Sequence, residues 1–251
     1  AELHGNVMVS QNGAFALIGD PRVGKGRISF LLAHLHGFPI VADDRVHMVF
    51  SKAGAHVVGP YKRYGFRAAS HFYMQGRRFY EGVFGDYKSP GFPAELKYFW
   101  RHGTNPEQLF KGKPVPSVDH APLHNNLEPA DLRAVFLVDT HSSNKTIVES
   151  ASPDQIIRYV ARRQDVGVPT VFGYPQTYPL ETSLSLDERR QIAGALVSKL
   201  VQKGVRFYRV LVPQDPEEVV KRPPSGGIRQ GTPFDSRMHA AQEIARIMHP
   251  E

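Results

Sequence analysis

Two kinds of apolar run alternate along the chain. Short runs rich in β-branched and aromatic residues, at Val7 to Val9, Ala14 to Ile18, Ile40 to Ala42 and Val46 to Phe50, have the length of buried strands. Ala134 to Val138, Thr146 to Glu149 and Phe207 to Val212 repeat that signature in the second half. Between them lie helix-like segments. Ile28 to His36 is the first; Ser152 to Arg163 is the second, with Ser152 as N-cap and Pro153 in its first turn. Ser185 to Lys203 is longer, with Ile192, Leu196, Val197 and Leu200 as its apolar spacing, Ser185 and Glu188 as a capping box, and Gly204 as its stop. Asp235 to Met248 is the last. Strands alternating with helices predict an α/β core with parallel pairing. The pattern breaks between about 59 and 130, an aromatic, basic, Pro- and Gly-containing stretch that reads as a large irregular insertion in a single domain spanning 1–251.

The first strand-to-helix junction carries the most chemistry. Gly19, Asp20, Pro21, Arg22, Val23, Gly24 and Lys25 fill the spacing of a phosphate-binding loop, between an apolar strand and the start of a helix. Such a turn aims backbone N–H groups and the positive helix end at a polyphosphate, and Lys25 adds a charge for the β and γ phosphates. The competing reading is a tight packing turn with a solvated lysine. The position after the lysine, usually Ser or Thr with its hydroxyl on Mg²⁺, is Gly26, followed by Arg27. Arg27 or Ser29 is the expected compensation for the missing hydroxyl, and a side chain at 26 is expected to meet a crowded helix start.

Asp43 and Asp44 end the run Phe38 to Ala42. In a parallel α/β sheet the ligand crevice lies at the carboxyl ends of the strands, so this pair and the loop are expected to open onto one crevice. Adjacent strand side chains point to opposite faces, which divides the work: one carboxylate toward metal or nucleophile, the other into supporting hydrogen bonds. On its own the pair is as well explained by a turn or a helix cap.

In order and spacing, His4-Gly5, Val7 to Val9, Gly13 to Ile18, Gly19-Asp20, Val23-Gly24-Lys25 and Val41 to Val46 resemble the catalytic core of HPr kinase/phosphorylase, collinearly over residues 3 to 48. They are also similar, more distantly, to ATP-dependent phosphoenolpyruvate carboxykinases. The resemblance implies an HPr kinase/PEP carboxykinase-like P-loop core with ATP at Gly19 to Arg27, His4 near the phosphates, and Asp43 and Asp44 as Mg²⁺ ligands or as the base that deprotonates a hydroxyl. It also implies a homo-oligomer. The family's Glu-Ile-Arg-Gly-x-Gly segment after the aspartates has no counterpart, and Pro21-Arg22 stands where the family has a small Ser-Gly pair. The expected acceptor is therefore a hydroxyl on a small molecule or a serine other than that of HPr. A nucleotide-binding regulatory module without catalysis and a carboxykinase-like lyase remain the alternatives.

The chain has 251 residues, a formal net charge of +7 and no cysteine. Thiolate catalysis, thiolate metal sites and disulfides are thereby excluded. Lys62, Arg63, Arg67, Arg77 and Arg78 interleave with Tyr61, Tyr64, Phe66, Phe72, Tyr73, Phe79 and Tyr80, a composition shared by nucleic-acid stacking grooves and by half-buried strands with basic faces. An anionic acceptor held by some of these cations is the more economical reading than nucleic acid. The histidines show no zinc spacing: His34 and His36 lie two apart on a helix, and His120 and His124 flank a loop proline. Pro175 to Pro179 and Pro223 to Gly231 are loops able to reach a site, with Arg229 as a candidate clamp on the transferring phosphoryl group; a linker before the last helix explains the second equally well. No run has membrane-spanning length and no charged-then-apolar leader opens the chain, so a soluble, cytoplasmic protein is expected.

Overall fold

A computed structural model describes residues 2–20, 23–42, 45–58, 66–67, 88, 90, 117–118, 129–162, 185–213 and 234–249. Its centre is an eight-stranded sheet. Strands β1 (Glu2–Ser10) and β2 (Gly13–Gly19) form an antiparallel hairpin running from Ser10↔Gly13 to Gly5↔Ile18. Strand β3 (Ile40–Ala42) pairs with the other edge of β1, and β4 (Arg45–Phe50) pairs with its first residues. Strand β5 (Ala55–Val58) returns from β4. Two short strands, β6 (Phe66–Arg67) and β7 (Ser117–Val118), pair with each other inside the expected insertion, the rest of which lies almost wholly outside the described residues. Strand β8 (Ala130–His141) runs parallel to β2 on one side and to β10 (Arg206–Pro213) on the other, and β9 (Ile147–Ser150) closes that edge antiparallel.

Helices cover both faces. Helix α1 (Lys25–His36) and helix α4 (Phe234–Met248) lie on one face, where Leu31, Leu32, Ala240, Ala241 and Ile244 meet Phe15, Phe136 and Val210. Helix α2 (Pro153–Arg162) and helix α3 (Leu186–Gln202) lie on the other, where Ile156, Val160, Ala193, Leu196 and Val197 meet Ile18, Val135, Leu137 and Phe207. Residues 134–138 are buried on both faces, as befits a central parallel strand. The result is a mixed α/β fold around a central sheet. None of the described helices is long and apolar enough to cross a membrane.

Local sequence rules explain the helix limits. Ser185 and Glu188 exchange the two hydrogen bonds of a capping box, and Gly204 follows α3 at φ 71°. Ser152 and Gln155 make the equivalent reciprocal pair before α2. Two expectations need correction. Ile192 is exposed and Ala193 takes its place, so the apolar stripe of α3 is Ala193, Leu196, Val197 and Leu200, the i, i+3, i+4, i+7 set. Strand β8 also extends four residues before Ala134, because its first residues pair with β5 while the remainder pairs with β2 and β10.

Candidate functional site

The loop after β2 emerges at the carboxyl edge of three parallel strands, β2, β8 and β10, the edge at which open α/β sheets bind ligands. Gly19 lies beside Val138, so closely that a Cβ on Gly19 would fall 2.3 Å from the Val138 carbonyl oxygen. Val23 is buried in the core and pins the middle of the loop. Its N–H donates to the Asp20 carbonyl at 3.4 Å. Gly24 is the N-cap of α1, at φ 104°. It carries no capping side chain, and the first turn of α1 holds no acidic residue. Helices α2 and α3, by contrast, open with Ser side-chain caps and acidic first-turn residues. Helix α1 thus presents its positive end to the crevice without a side chain of its own to neutralise it.

Lys25 is the first residue of α1 and is buried. Its Nζ donates to the carbonyls of Gly19 at 2.7 Å and Asp20 at 2.9 Å, which folds the ammonium back across the loop. A second cation stands there that sequence spacing did not single out. Arg237 of α4 is 3% exposed, and its Nε would lie 2.5 Å from a Cβ placed on Gly24. Only glycine fits at 24 on two counts, the positive φ and the guanidinium. The signal for Arg237 was available: it occupies the apolar stripe of α4, in step with Ala240, Ala241, Ile244 and Met248, where an arginine needs a reason to be.

Gly26 does not stand in a crowded place. A Cβ there would have nothing within 4 Å, contrary to the expectation of a tight helix start. Nor does Ser29 replace the missing hydroxyl, because it is fully buried and its Oγ donates to the Lys25 carbonyl at 3.0 Å. Arg27 is half-buried in the first turn of α1.

The other expected site residues are reached only in part. His4 is placed by its backbone, in β1 opposite Arg45, with Gly5 opposite Ile18. Asp43 and Asp44 lie outside the described residues, but their neighbours flank the same strand: Ala42 pairs with Val7, and Arg45 with His4. Pro21, Arg22, Arg229, the Pro175 to Pro179 loop and nearly all of the aromatic and basic stretch also lie outside them. Among the described residues no cluster of three or more His, Asp or Glu side chains could hold a metal ion.

The same edge carries a carboxylate that sequence spacing did not single out either. Asp139 ends the buried run of β8; its Oδ2 accepts from Arg209 at 2.9 Å and its Oδ1 from the Thr140 N–H at 2.9 Å. The reasoning applied to Asp43 and Asp44, a carboxylate finishing a buried strand, would have found it. At the opposite end of β8, Ser51 Oγ, His56 and Asp131 form a hydrogen-bonded chain of 2.8 Å links. The Ser51 oxygen also accepts from the Ala53 and Gly54 N–H groups, so this set closes the β4–β5 turn rather than arming a nucleophile.

No family model matches the chain, and no curated protein does. Among solved structures it is similar to an Hpr(Ser) kinase/phosphatase from Coxiella burnetii, at 10% identity and a TM-score of 0.32, over 86% of this chain and 81% of that one. So slight a likeness does not bear on function; strand order and loop geometry do.

Proposed function

We propose that this chain is an ATP-dependent phosphotransferase with an HPr kinase and carboxykinase type of P-loop core, acting as one kinase-like domain on a hydroxyl of a small molecule or a serine. The observation that carries this reading is the junction of β2 and α1: a left-handed Gly24 as a helix N-cap without a side chain, and the Lys25 ammonium, both at the carboxyl edge of parallel strands. On nucleotide binding, Lys25 exchanges its carbonyl partners for β and γ phosphate oxygens, and Arg237 reinforces the positive potential from behind Gly24. Asp43 and Asp44 are the proposed Mg²⁺ ligands, one of them doubling as the base for the acceptor hydroxyl, with His4 beside the phosphates and Arg229 as a clamp. The metal would neutralise phosphate charge. The arginines and lysines of the 59–130 stretch are the proposed hold on an anionic acceptor.

One observation favours a second reading, a nucleotide-binding module without turnover. Position 26 has no hydroxyl, and the nearby Ser29 hydroxyl is committed to the backbone. Mg²⁺-dependent ATP consumption, measured with a panel of hydroxyl-bearing metabolites and serine peptides, separates the two. The kinase reading expects turnover that falls roughly 10² to 10⁴-fold in Asp43→Asn or Asp44→Asn while nucleotide affinity is largely kept. Consumption seen only in Gly26→Ser would overturn it in favour of the module.

A further inference from the structure

A second concentration of positive charge lies on the other face of the sheet. Between β8, β10 and the paired helices α2 and α3 is a cavity of about 430 Å³, whose lining among the described residues includes Arg158, Arg162, Arg190 and Arg209 with one carboxylate, Asp139. Helix α1 and Val23 of the phosphate loop pack on the opposite face, and among the described residues the cavity lining shares none with that loop; the two approach at the strand edge, where Gly19 pairs with Val138.

The arginines differ in how they are held. Arg158 and Arg162 stand one turn apart on α2 and so share a face. Both are exposed and neither has a carboxylate partner among the described residues. Arg190 pairs with Asp187 at 3.1 Å across a largely exposed gap, a bond worth little in water and readily given up. Arg209 is fixed by Asp139, whose two oxygens are both engaged, so its guanidinium is aimed rather than neutralised outright. Asp187 and Asp139 offset two of these four guanidiniums, and the remaining excess of positive charge around one concavity favours an anion there. Tyr159 gives the cavity an apolar wall, and the volume suits a compact metabolite.

We infer that this cavity is a binding site for a small molecule carrying two or more phosphoryl groups, gripped by Arg158, Arg162 and Arg209, whether or not the Lys25 loop carries phosphoryl transfer. Guanidinium forks match phosphate oxygens in pairs, which a lysine cannot do.

Calorimetric titration with inorganic pyrophosphate tests it. Five proteins are compared: wild type, Lys25→Ala, Arg158→Gln, the double variant Arg158→Gln/Arg162→Gln, and Arg133→Gln as a control for charge at the far end of β8. Gln keeps the helix propensity of Arg, so α2 is expected to stay folded, which circular dichroism checks. The expected result is a pyrophosphate site that survives Lys25→Ala and Arg133→Gln, weakens about tenfold in Arg158→Gln and about a hundredfold in the double variant. Loss of all pyrophosphate binding in a folded Lys25→Ala, or equal affinity in the double variant and the Arg133→Gln control, would overturn the assignment.

Discussion

Two glycines two residues apart in the phosphate loop should respond oppositely to the same change. Gly24→Ala forces a β-carbon onto a residue at φ 104°, in the left-handed half of conformational space, which costs about 1 to 2 kcal/mol. The new carbon would also lie 2.5 Å from the Nε of a buried Arg237, and displacing a packed side chain costs about 1 to 3 kcal/mol more. Gly26→Ala meets nothing within 4 Å inside α1 and should gain roughly 0.5 to 1 kcal/mol from helix propensity. The two variants should therefore differ by roughly 2.5 to 6 kcal/mol, which in a chain of this size separates melting temperatures by at least about 5 °C. Urea unfolding with fixed m-values, alongside thermal melts, reads the difference. Equal midpoints would mean that the left-handed cap and its arginine neighbour do not exist as described, and the loop geometry would fall with them.

Arg237→Met keeps the bulk of the buried side chain and removes its charge, so it should leave a folded protein whose ADP affinity is lowered roughly tenfold to a hundredfold. Unchanged affinity in fluorescence or calorimetric titration would make Arg237 a packing residue only. His36 is half-buried, its Nε2 has no hydrogen-bond partner among the described residues, and burial first, then the neighbouring His249, holds its pKa below the usual 6.5. Below pH 6.5 the unfolded chain takes up this proton before the folded one, so stability falls as pH drops from 6.5 toward the folded value and is unaffected above it. His36→Leu should flatten that slope in urea unfolding at stepped pH; an unchanged slope would place the proton uptake elsewhere.

Much of the fold was legible because its elements announce themselves locally. The capping box at Ser185, the N-cap at Ser152, the stop at Gly204 and the continuous apolar run 134–138 each specify an element without reference to the rest of the chain. What stayed hidden depended on neighbours. Strand β5 is four residues long and alternates buried with half-buried positions, too short a period to stand out before it pairs with β4 and the start of β8. Arg237 meets Gly24 across 213 positions of chain, so no loop motif could include it. Gly26 looked crowded because such loops wrap tightly, whereas here the space beside it is open. Sequence spacing singled out Gly19, Gly24 and Lys25 because that motif is contiguous; the arginine cavity assembles only once β8, β10, α2 and α3 are in place.

If the β2–α1 junction holds a nucleotide by its phosphates, calorimetric titration of ADP against wild type and Lys25→Ala shows it most directly. Lys25 is buried with its ammonium on the Gly19 and Asp20 carbonyls, within the loop that the phosphates would enter. Charge-assisted hydrogen bonds of this kind are worth about 1.5 to 3 kcal/mol, so the variant should bind ADP at least about tenfold more weakly while its far-ultraviolet circular dichroism stays that of the wild type. Equal affinity in the two proteins, or no ADP binding by the wild type, would contradict the account.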